Sequence, residues 1–264
     1  MSLNEEPVLL EREGAIAWIR FNRPKALNAM NEALVRSLNA QVSIVAADDT
    51  VRAVVLGSTG PSFMAGGDVA MFRDAMPNAD AVAWRLLTEL NAAVLALNSM
   101  PVPVIASVSG HAAGGGMSLA LATDLAIAAD DVKFNTAFAK IAATPEASSS
   151  WTLPRLVGLR KAMEIMMLSE TIDATEALRL GLVNRVVPKD KLEDETRALA
   201  KRLADGPTQA YGRIKRLLRG SQTVPRDAQL AAEQEAFAQS ARTQDFNEGL
   251  AAFFERRQAS FKGR

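Results

Sequence analysis

Residues 102–124, VPVIASVSGHAAGGGMSLALATD, decide how we interpret the rest of this chain. The β-branched side chains of Val104, Ile105 and Val108 predict a buried strand, and the apolar run at 117–122 predicts a helix. Three consecutive glycines, 114–116, stand between these two elements. Glycine costs backbone entropy at the start of a helix, so its repetition indicates that something approaches the backbone closely.

A helix that begins at these glycines offers unpaired N–H groups and a partial positive charge. Such a helix end can receive an oxygen that carries or develops negative charge. The same glycines also fit a tight strand-to-helix turn that packs against a neighbouring element. From this stretch alone, both interpretations stay open.

The composition excludes several classes of site. The 264 residues suffice for one larger domain, or for one domain with an appendage. Because the chain has no cysteine, disulfides, thiolate nucleophiles and cysteine-ligated metals are excluded. It has one histidine, His111, which is too few for a zinc site of the usual composition. We expect no metal, and we interpret His111 as a structural turn residue.

Charge and hydropathy predict the surroundings in which the chain works. A formal net charge of zero gives no general attraction for nucleic acid or for an anionic membrane surface. No apolar run reaches membrane-spanning length, and no basic segment with an apolar core stands at the N-terminus. We therefore expect a soluble cytoplasmic protein with neither nucleic acid nor a membrane as partner.

A second glycine-bearing turn precedes the first one in the chain. The predicted elements before residue 100 are a hairpin over 8–21, a helix from the Asn31 cap to about 47, a strand over 51–56 and a helix over about 81–97. The sequence GPSFMAGGD at 60–68 follows the strand. Two glycine turns at adjacent strand ends can aim two N–H groups at one point, which is the arrangement of an oxyanion hole.

The remainder of the chain changes from mixed to helical. Its predicted elements are strands over 125–129, 132–135 and 183–187, helices over 160–168 and 174–180, and helices after 189 that break at Gly206-Pro207 and Val224-Pro225. Thr144, Pro145 and Glu146 predict a helix start, with Thr144 as N-cap and Glu146 in the first turn of a helix that continues to about 157. We predict an α/β core over 1–190 and a helical C-terminal region over 191–264.

Several common catalytic motifs are missing from the sequence. It has no P-loop, no Gly-x-Gly-x-x-Gly after a strand and no Gly-x-Ser-x-Gly nucleophile elbow. What remains is polar backbone at two glycine turns, with few ionisable side chains nearby.

Four segments in order resemble the signature of the crotonase superfamily, the enoyl-CoA hydratase/isomerase family. They are RPKALNAM at 23–30, FMAGGDV at 63–69, GHAAGGG at 110–116 and LPRLVG at 153–158. The resemblance continues through 174–188 and so covers nearly the whole chain. It implies an α/β fold, a crotonase-like spiral of β-β-α units, with a helical C-terminal region used in trimer formation.

The resemblance also implies the ligand and its binding groups. An acyl-CoA thioester is the implied substrate, with coenzyme A as part of that substrate and no separate cofactor, and a homotrimer or dimer of trimers is the implied assembly. The backbone N–H groups of Gly67 and Gly115 match the family's two oxyanion donors. They would hold the thioester oxygen while a proton leaves the α carbon.

The sequence departs from the hydratases of this family at two positions. Hydratases hold the added water with two glutamates, and here the matching positions are Ser118 and Phe138. Neither side chain exchanges a proton at neutral pH, so we do not expect efficient hydration.

Glu146 is the carboxylate that remains where a family member uses one. It stands where the ring-opening isomerases of phenylacetate breakdown and a related dehalogenase carry an aspartate, and 134–151 looks most like that isomerase branch. A single base that moves a proton between two carbons suffices for a double-bond shift, so we predict an acyl-CoA isomerase. An acidic residue in a first helical turn is, however, also favoured by the helix dipole alone.

Two other functions stay open on the same residues. One is an enoyl-CoA hydratase with a rearranged acid/base set, in which Glu146 works with a water held by Ser118. The other is a non-catalytic acyl-CoA-binding protein. Ser118 also fits a serine packed in a polar niche of its helix.

The resemblance places coenzyme A beside the two N-terminal loops. Arg23 and Lys25 either approach the CoA phosphates or are solvated loop charges, and Ala65, Gly66, Asp68 and Val69 match positions near the ligand. Asp68 is explained equally well as the cap of a following helix. The basic run from 213 to 219 either forms a solvated face or contacts the nucleotide end of CoA from a neighbouring subunit.

Overall fold

A six-stranded sheet runs through the computed structural model, which describes residues 6–264. The strands of the protein are β1 Val8–Glu13, β2 Ile16–Phe21, β3 Ala53–Ser58, β4 Val104–Val108, β5 His111–Ala113, β6 Leu125–Ala129, β7 Lys133–Asn135, β8 Ile172–Asp173 and β9 Arg185–Val187. The large sheet has the order β1-β2-β3-β4-β6-β9, and only the β1–β2 hairpin is antiparallel in it.

Helices cover both faces of this sheet. They are α1 Glu32–Ala46, α2 Val69–Asp74, α3 Ala79–Ser99, α4 Gly115–Ala122, α5 Ser149–Val157, α6 Leu159–Leu168, α7 Ala174–Arg179, α8 Leu192–Ala204, α9 Thr208–Gly220, α10 Arg226–Ala241 and α11 Gln244–Glu255. Because parallel strands are covered on both faces, β4 is buried along its whole length. On one face, Ala200 and Ala204 of α8 pack against Trp18 and Val55. The helical C-terminal region therefore shares a core with the sheet.

A second, three-stranded sheet with the order β5-β7-β8 stands beside the first. The chain passes from the large sheet to the small one twice, from β4 to β5 and from β6 to β7. Gly110, at φ +56, makes the first of these passages. The succession β4-β5-α4 is the β-β-α unit that the sequence predicts, with the glycine triplet at the junction of strand and helix. His111, interpreted from the sequence as a turn residue, belongs to β5.

The helix predicted to begin at Thr144 begins instead at Ser149, so this prediction is wrong. Ala147 and Ser148 adopt left-handed φ angles of 48° and 67°, which interrupt any helix that would include them. Glu146 consequently lies in the loop before α5 and not in its first turn. The helix dipole alone does not account for it.

The basic run on α9 is not simply a solvated face. The Lys215 ammonium is 2.8 Å from a carboxylate oxygen of Asp124, and the Arg219 guanidinium is 2.7 Å from the other. Asp124 also accepts the N–H of Val104 at 2.9 Å. One partly buried carboxylate therefore joins α9 to the first residue of β4. Within residues 6–264, no helix is both long and apolar enough to cross a membrane.

Candidate active site

The two glycine turns lie against each other. Met64 donates its N–H to the His111 carbonyl at 2.9 Å, and Ala113 donates its N–H to the Met64 carbonyl at 2.9 Å. Gly66 has φ +96, a conformation that side-chain-bearing residues rarely adopt, and a β-carbon there would stand 3.0 Å from the Ala113 carbonyl oxygen. The close approach that the glycines indicate is thus, in part, the approach of one turn to the other.

Unpaired backbone donors occur where these turns meet. Among the described residues, no acceptor takes the N–H of Gly67 or the N–H of Gly115. Gly115 is the first residue of α4, whose hydrogen-bond ladder starts only with the Ser118 N–H to the Gly114 carbonyl at 3.0 Å. Unpaired N–H groups at a helix start can receive an oxygen that becomes negatively charged.

The carboxylate of Glu146 lies beside Gly115, the residue that carries the second of these donors. A β-carbon on Gly115 would stand 2.5 Å from Glu146 Oε1 and closer still to the terminal methyl of Met30. Gly115 therefore leaves open the space that the carboxylate and the thioether occupy. The loop 143–148 brings Glu146 to this place after the short 3-10 turn Phe138–Ile141.

Burial raises the pKa of Glu146 from its ordinary value of 4.5 to about 7. Loss of water around a carboxyl group disfavours its charged form, and no cation among residues 6–264 offsets this loss. A group with a pKa near neutrality can accept a proton and return it at the same pH.

The two positions at which hydratases carry glutamates bring no second carboxylate to the site. Phe138 is buried, and its ring stands 3.8 Å from the point where a β-carbon on Gly114 would lie. Ser118 is buried in α4 and donates its hydroxyl to the Gly114 carbonyl at 3.2 Å. The one proton of this hydroxyl is thus used inside its own helix.

The loop that carries Arg23 and Lys25 runs alongside the 62–68 turn. Ala65 donates its N–H to the Leu27 carbonyl at 3.0 Å, while Lys25 and Val69 are exposed next to this contact. The Arg23 guanidinium is 3.4 Å from Asp68 Oδ2. These contacts hold the loop from Arg23 to Leu27 against the turn from Ala65 to Asp68.

Asp68 does not act as the helix cap that its position suggests. It occupies the N-cap position of α2, but its side chain makes no capping hydrogen bond and faces Arg23 instead. Arg23 is correspondingly not a solvated loop charge, since its guanidinium also donates to the Ala29 carbonyl.

Sequence reasoning gave no role to two apolar residues at the donors. Met30 ends in the space beside Gly115, and the Phe72 ring stands 3.4 Å from the β-carbon point of Gly67. A helix after Asp68 was only implied by the cap interpretation of that residue, and the bounds of α2, which carries Phe72, were not predicted. The spacing of Val69 and Phe72 three residues apart was the available signal, but six residues are too few for a periodicity to stand out.

An apolar cavity of about 340 Å³ lies behind the Glu146 loop. Phe138, Pro145, Met163 and Met167 are among its lining residues. Another cavity, of about 390 Å³ between α5 and α9, does not reach the glycine turns. No group of three or more metal-ligating side chains occurs in the part of the chain that the structure describes.

Comparison with known proteins shows which family the chain is related to. The sequence profile of the enoyl-CoA hydratase/isomerase family matches residues 11–264. The 1,2-epoxyphenylacetyl-CoA isomerase of Escherichia coli is 34% identical over 261 residues, which are 98% of this chain and 99% of that protein. The crotonyl-CoA hydratase of Syntrophomonas wolfei is 36% identical over 258 residues, 97% of this chain and 98% of the relative.

Solved structures agree with this relationship. The crystal structure of enoyl-CoA hydratase from Mycobacterium smegmatis superimposes with a TM-score of 0.90 at 31% identity, over 97% of this chain and 99% of that one. The crotonase-like α/β fold predicted from the sequence is thereby confirmed.

Proposed function

Because the chain belongs to the enoyl-CoA hydratase/isomerase family, we propose that it is an acyl-CoA isomerase that works through an oxyanion-stabilised enolate. Gly67 and Gly115 supply the two N–H donors in this proposal, and Glu146 is the base. The acyl-CoA thioester is the substrate, and no further cofactor takes part.

The observation that carries the proposal is the position of Glu146. It is a carboxylate with a pKa of about 7 that lies beside Gly115, whose own N–H is unpaired. A thioester carbonyl held by the Gly115 and Gly67 N–H groups would place its α carbon near the Glu146 carboxylate. Removal of a proton from that carbon moves negative charge onto the carbonyl oxygen, where the two donors stabilise it.

The energetic contribution of these donors is large. Loss of one oxyanion donor typically raises a reaction barrier by about 2.7–4 kcal/mol, since the donor is fixed before charge develops. Both donors here are backbone groups. A substitution at either glycine consequently acts through geometry and not through the loss of a side-chain donor.

A single acid/base group favours a proton shift over the addition of water. In a double-bond shift, Glu146 takes a proton from one carbon and returns it to another, so the group ends in its starting state. Hydration also requires a water held in place for attack, and the hydratases of the family hold it with two glutamates. Phe138 and Ser118 do not replace these glutamates, because one is a hydrocarbon and the hydroxyl of the other is engaged with Gly114.

Hydration is the second candidate function, and the comparisons favour retaining it. The Syntrophomonas wolfei relative is named a crotonyl-CoA hydratase, at an identity similar to that of the Escherichia coli isomerase. In this version, Glu146 would serve with a water held by Ser118. The isomerase relative, for its part, supports the ring-opening or double-bond-shift type of reaction that the sequence pattern around Glu146 suggests.

Self-association in a homotrimer or a dimer of trimers belongs to the same proposal. Phe237 on α10 is 67% exposed, and Phe253 and Phe254 on α11 are 77% and 78% exposed. Large exposed aromatic side chains on neighbouring helices are typical of surfaces that another chain covers. Sedimentation velocity of the purified protein measures the assembly directly.

Mass spectrometry of a panel of thioesters tests the function. Straight-chain and aromatic 2-enoyl and 3-enoyl thioesters of CoA are each incubated with the protein, and the products are separated by chromatography. Isomerisation gives a product of unchanged mass and new retention time, which the proposal predicts. Hydration adds the mass of one water and would replace the proposal by its second candidate. Tight binding without any product would indicate a non-catalytic acyl-CoA-binding protein.

A further inference from the structure

The direction of the Gly67 N–H needs an explanation, since no regular element holds it. Gly67 follows the left-handed Gly66 and stands two residues before α2 begins at Val69. Gly115, by contrast, is held at the start of α4. Whatever fixes the 62–68 turn therefore fixes one of the two proposed donors.

Met30 fixes the turn on one side of Gly67. Its N–H donates to the Gly66 carbonyl at 2.7 Å, and its carbonyl accepts the Asp68 N–H at 2.8 Å. The first bond uses the carbonyl of the trans peptide group that also carries the Gly67 N–H, and the second uses the N–H of the next peptide group. Because successive N–H groups of an extended chain point in opposite directions, the Gly67 N–H is turned away from Met30.

Met30 itself lies at the end of an irregular loop, which is held by polar contacts. Asn28 is buried at φ +56, accepts the Arg23 N–H at 2.7 Å and donates to the Ser62 carbonyl at 2.8 Å. The Arg23 side chain then reaches the Ala29 carbonyl and Asp68 Oδ2. Its guanidinium thus contacts the residue before Met30 and the residue after Gly67.

We infer that Arg23 is a positioning residue, which holds the Gly67 N–H in place by joining Ala29 to Asp68 across the Met30 bridge. This inference rests on the proposed function, since it assigns Gly67 a donor role. The alternative role, a ligand of the CoA phosphates, needs the same guanidinium to face outward. Three-quarters of the Arg23 side chain is instead covered, with 25% exposed, and Asp68 is covered to a similar degree.

Kinetics of R23Q, D68N and the double variant test the inference. Each single variant is expected to lower kcat about tenfold, because a small misplacement of a donor costs rate, and to leave KM unchanged. The double variant should be no slower than either single one, since both remove the same contact. R36Q, which removes an exposed arginine of α1, is the matched control and should keep wild-type kinetics.

The conservative variant R23K separates positioning from phosphate binding. Lysine keeps the charge that a phosphate requires but lacks the planar fork that contacts two oxygens at once. Positioning predicts that R23K has a lowered kcat like R23Q. A raised KM in R23Q that R23K restores, with kcat preserved throughout, would overturn the inference and make Arg23 a CoA ligand.

NMR of the protein without substrate tests the positioning role of Arg23 independently of the proposed function. The backbone amide resonances of Gly67 and Gly115 are read by NMR in the unliganded protein. R23Q and D68N should both shift the Gly67 resonance and leave that of Gly115 in place, even if no thioester of the panel is turned over. An unmoved Gly67 resonance in both variants would contradict positioning, whatever the activity.

Discussion

The Glu146 carboxylate occupies the space that a side chain on Gly115 would need, with Oε1 2.5 Å from the point of the missing β-carbon. The proposed base and one proposed oxyanion donor can therefore lie side by side because Gly115 has no β-carbon. Met30 shares the same space with its terminal methyl. Substitution of Gly115 is therefore expected to have a different effect from substitution of Gly116, the next residue of α4.

G115A is expected to reduce activity far more than stability. The new methyl would meet the ends of two side chains, Glu146 and Met30, which can move aside. Displacement of the base should lower kcat about a hundredfold, while the melting temperature changes little. Steady-state kinetics and thermal unfolding of the same sample measure both effects.

G116A is the matched comparison, and it should reduce stability more than activity. A β-carbon on Gly116 would collide with the backbone carbonyl of Met64, which is fixed in the contact between the two turns. Such overpacking costs about 1–3 kcal/mol of stability. Equal losses of activity and stability in G115A and G116A would contradict the assignment of the space beside Gly115 to the base.

The rate should depend on pH through Glu146. A base must be unprotonated to act, and burial raises the pKa of Glu146 to about 7. The value of kcat/KM is therefore expected to rise with pH and to level off above about pH 7. A profile that levels off near the ordinary glutamate pKa of 4.5 would contradict a raised pKa for the base.

The same shift predicts that E146Q stabilises the protein at high pH. Between the unfolded pKa of 4.5 and the folded pKa of about 7, the folded state binds more protons than the unfolded state. The free energy of unfolding consequently falls as pH rises through this window. Glutamine lacks this charge, so E146Q should be more stable than wild type by about 1–2 kcal/mol at pH 8, allowing for partial exposure, and equally stable at pH 4. Urea unfolding at both values measures the difference, and an unchanged or lowered stability at pH 8 would contradict it.

D124N should destabilise the protein strongly. The Lys215 side chain is 8% exposed, and the variant would leave its ammonium buried without its carboxylate partner. Breaking a buried pair in this way costs about 3–5 kcal/mol. D205N removes an exposed carboxylate that is paired with Lys201, and it should cost less than about 1 kcal/mol. Equal urea midpoints for D124N and D205N would show that Asp124 does not hold α9 against the core.

The sequence predicted elements whose signals are local. Asn31 caps α1 as expected, its side chain accepting the Leu34 N–H at 2.9 Å. The strand, glycine turn and helix of residues 102–124 also form, with β4 and α4 close to their predicted bounds. Each of these signals lies within a few residues of the structure that it specifies, so no distant contact was needed.

The structural features that the sequence did not predict depend on contacts between residues that are distant in the chain. The sequence TPEASS at 144–149 does not predict the left-handed φ angles of Ala147 and Ser148, since neither residue type favours them. The burial of Lys215 likewise depends on Asp124, which a linear pattern of charges on α9 does not reveal. The role proposed for Glu146 comes from the family resemblance, whereas its position beside Gly115 is visible only in the structure.

Exchange of substrate hydrogen with solvent tests the central claim most directly. An acyl-CoA thioester is incubated in D2O with wild type, E146Q and the exposed-site control E170Q, and deuterium at the acyl carbons is read by mass spectrometry. Enolate formation by Glu146 predicts incorporation with wild type and E170Q, and a rate with E146Q lowered by about 10²–10⁴, with thioester affinity retained. Incorporation by E146Q at the wild-type rate would contradict the claim that Glu146 is the base.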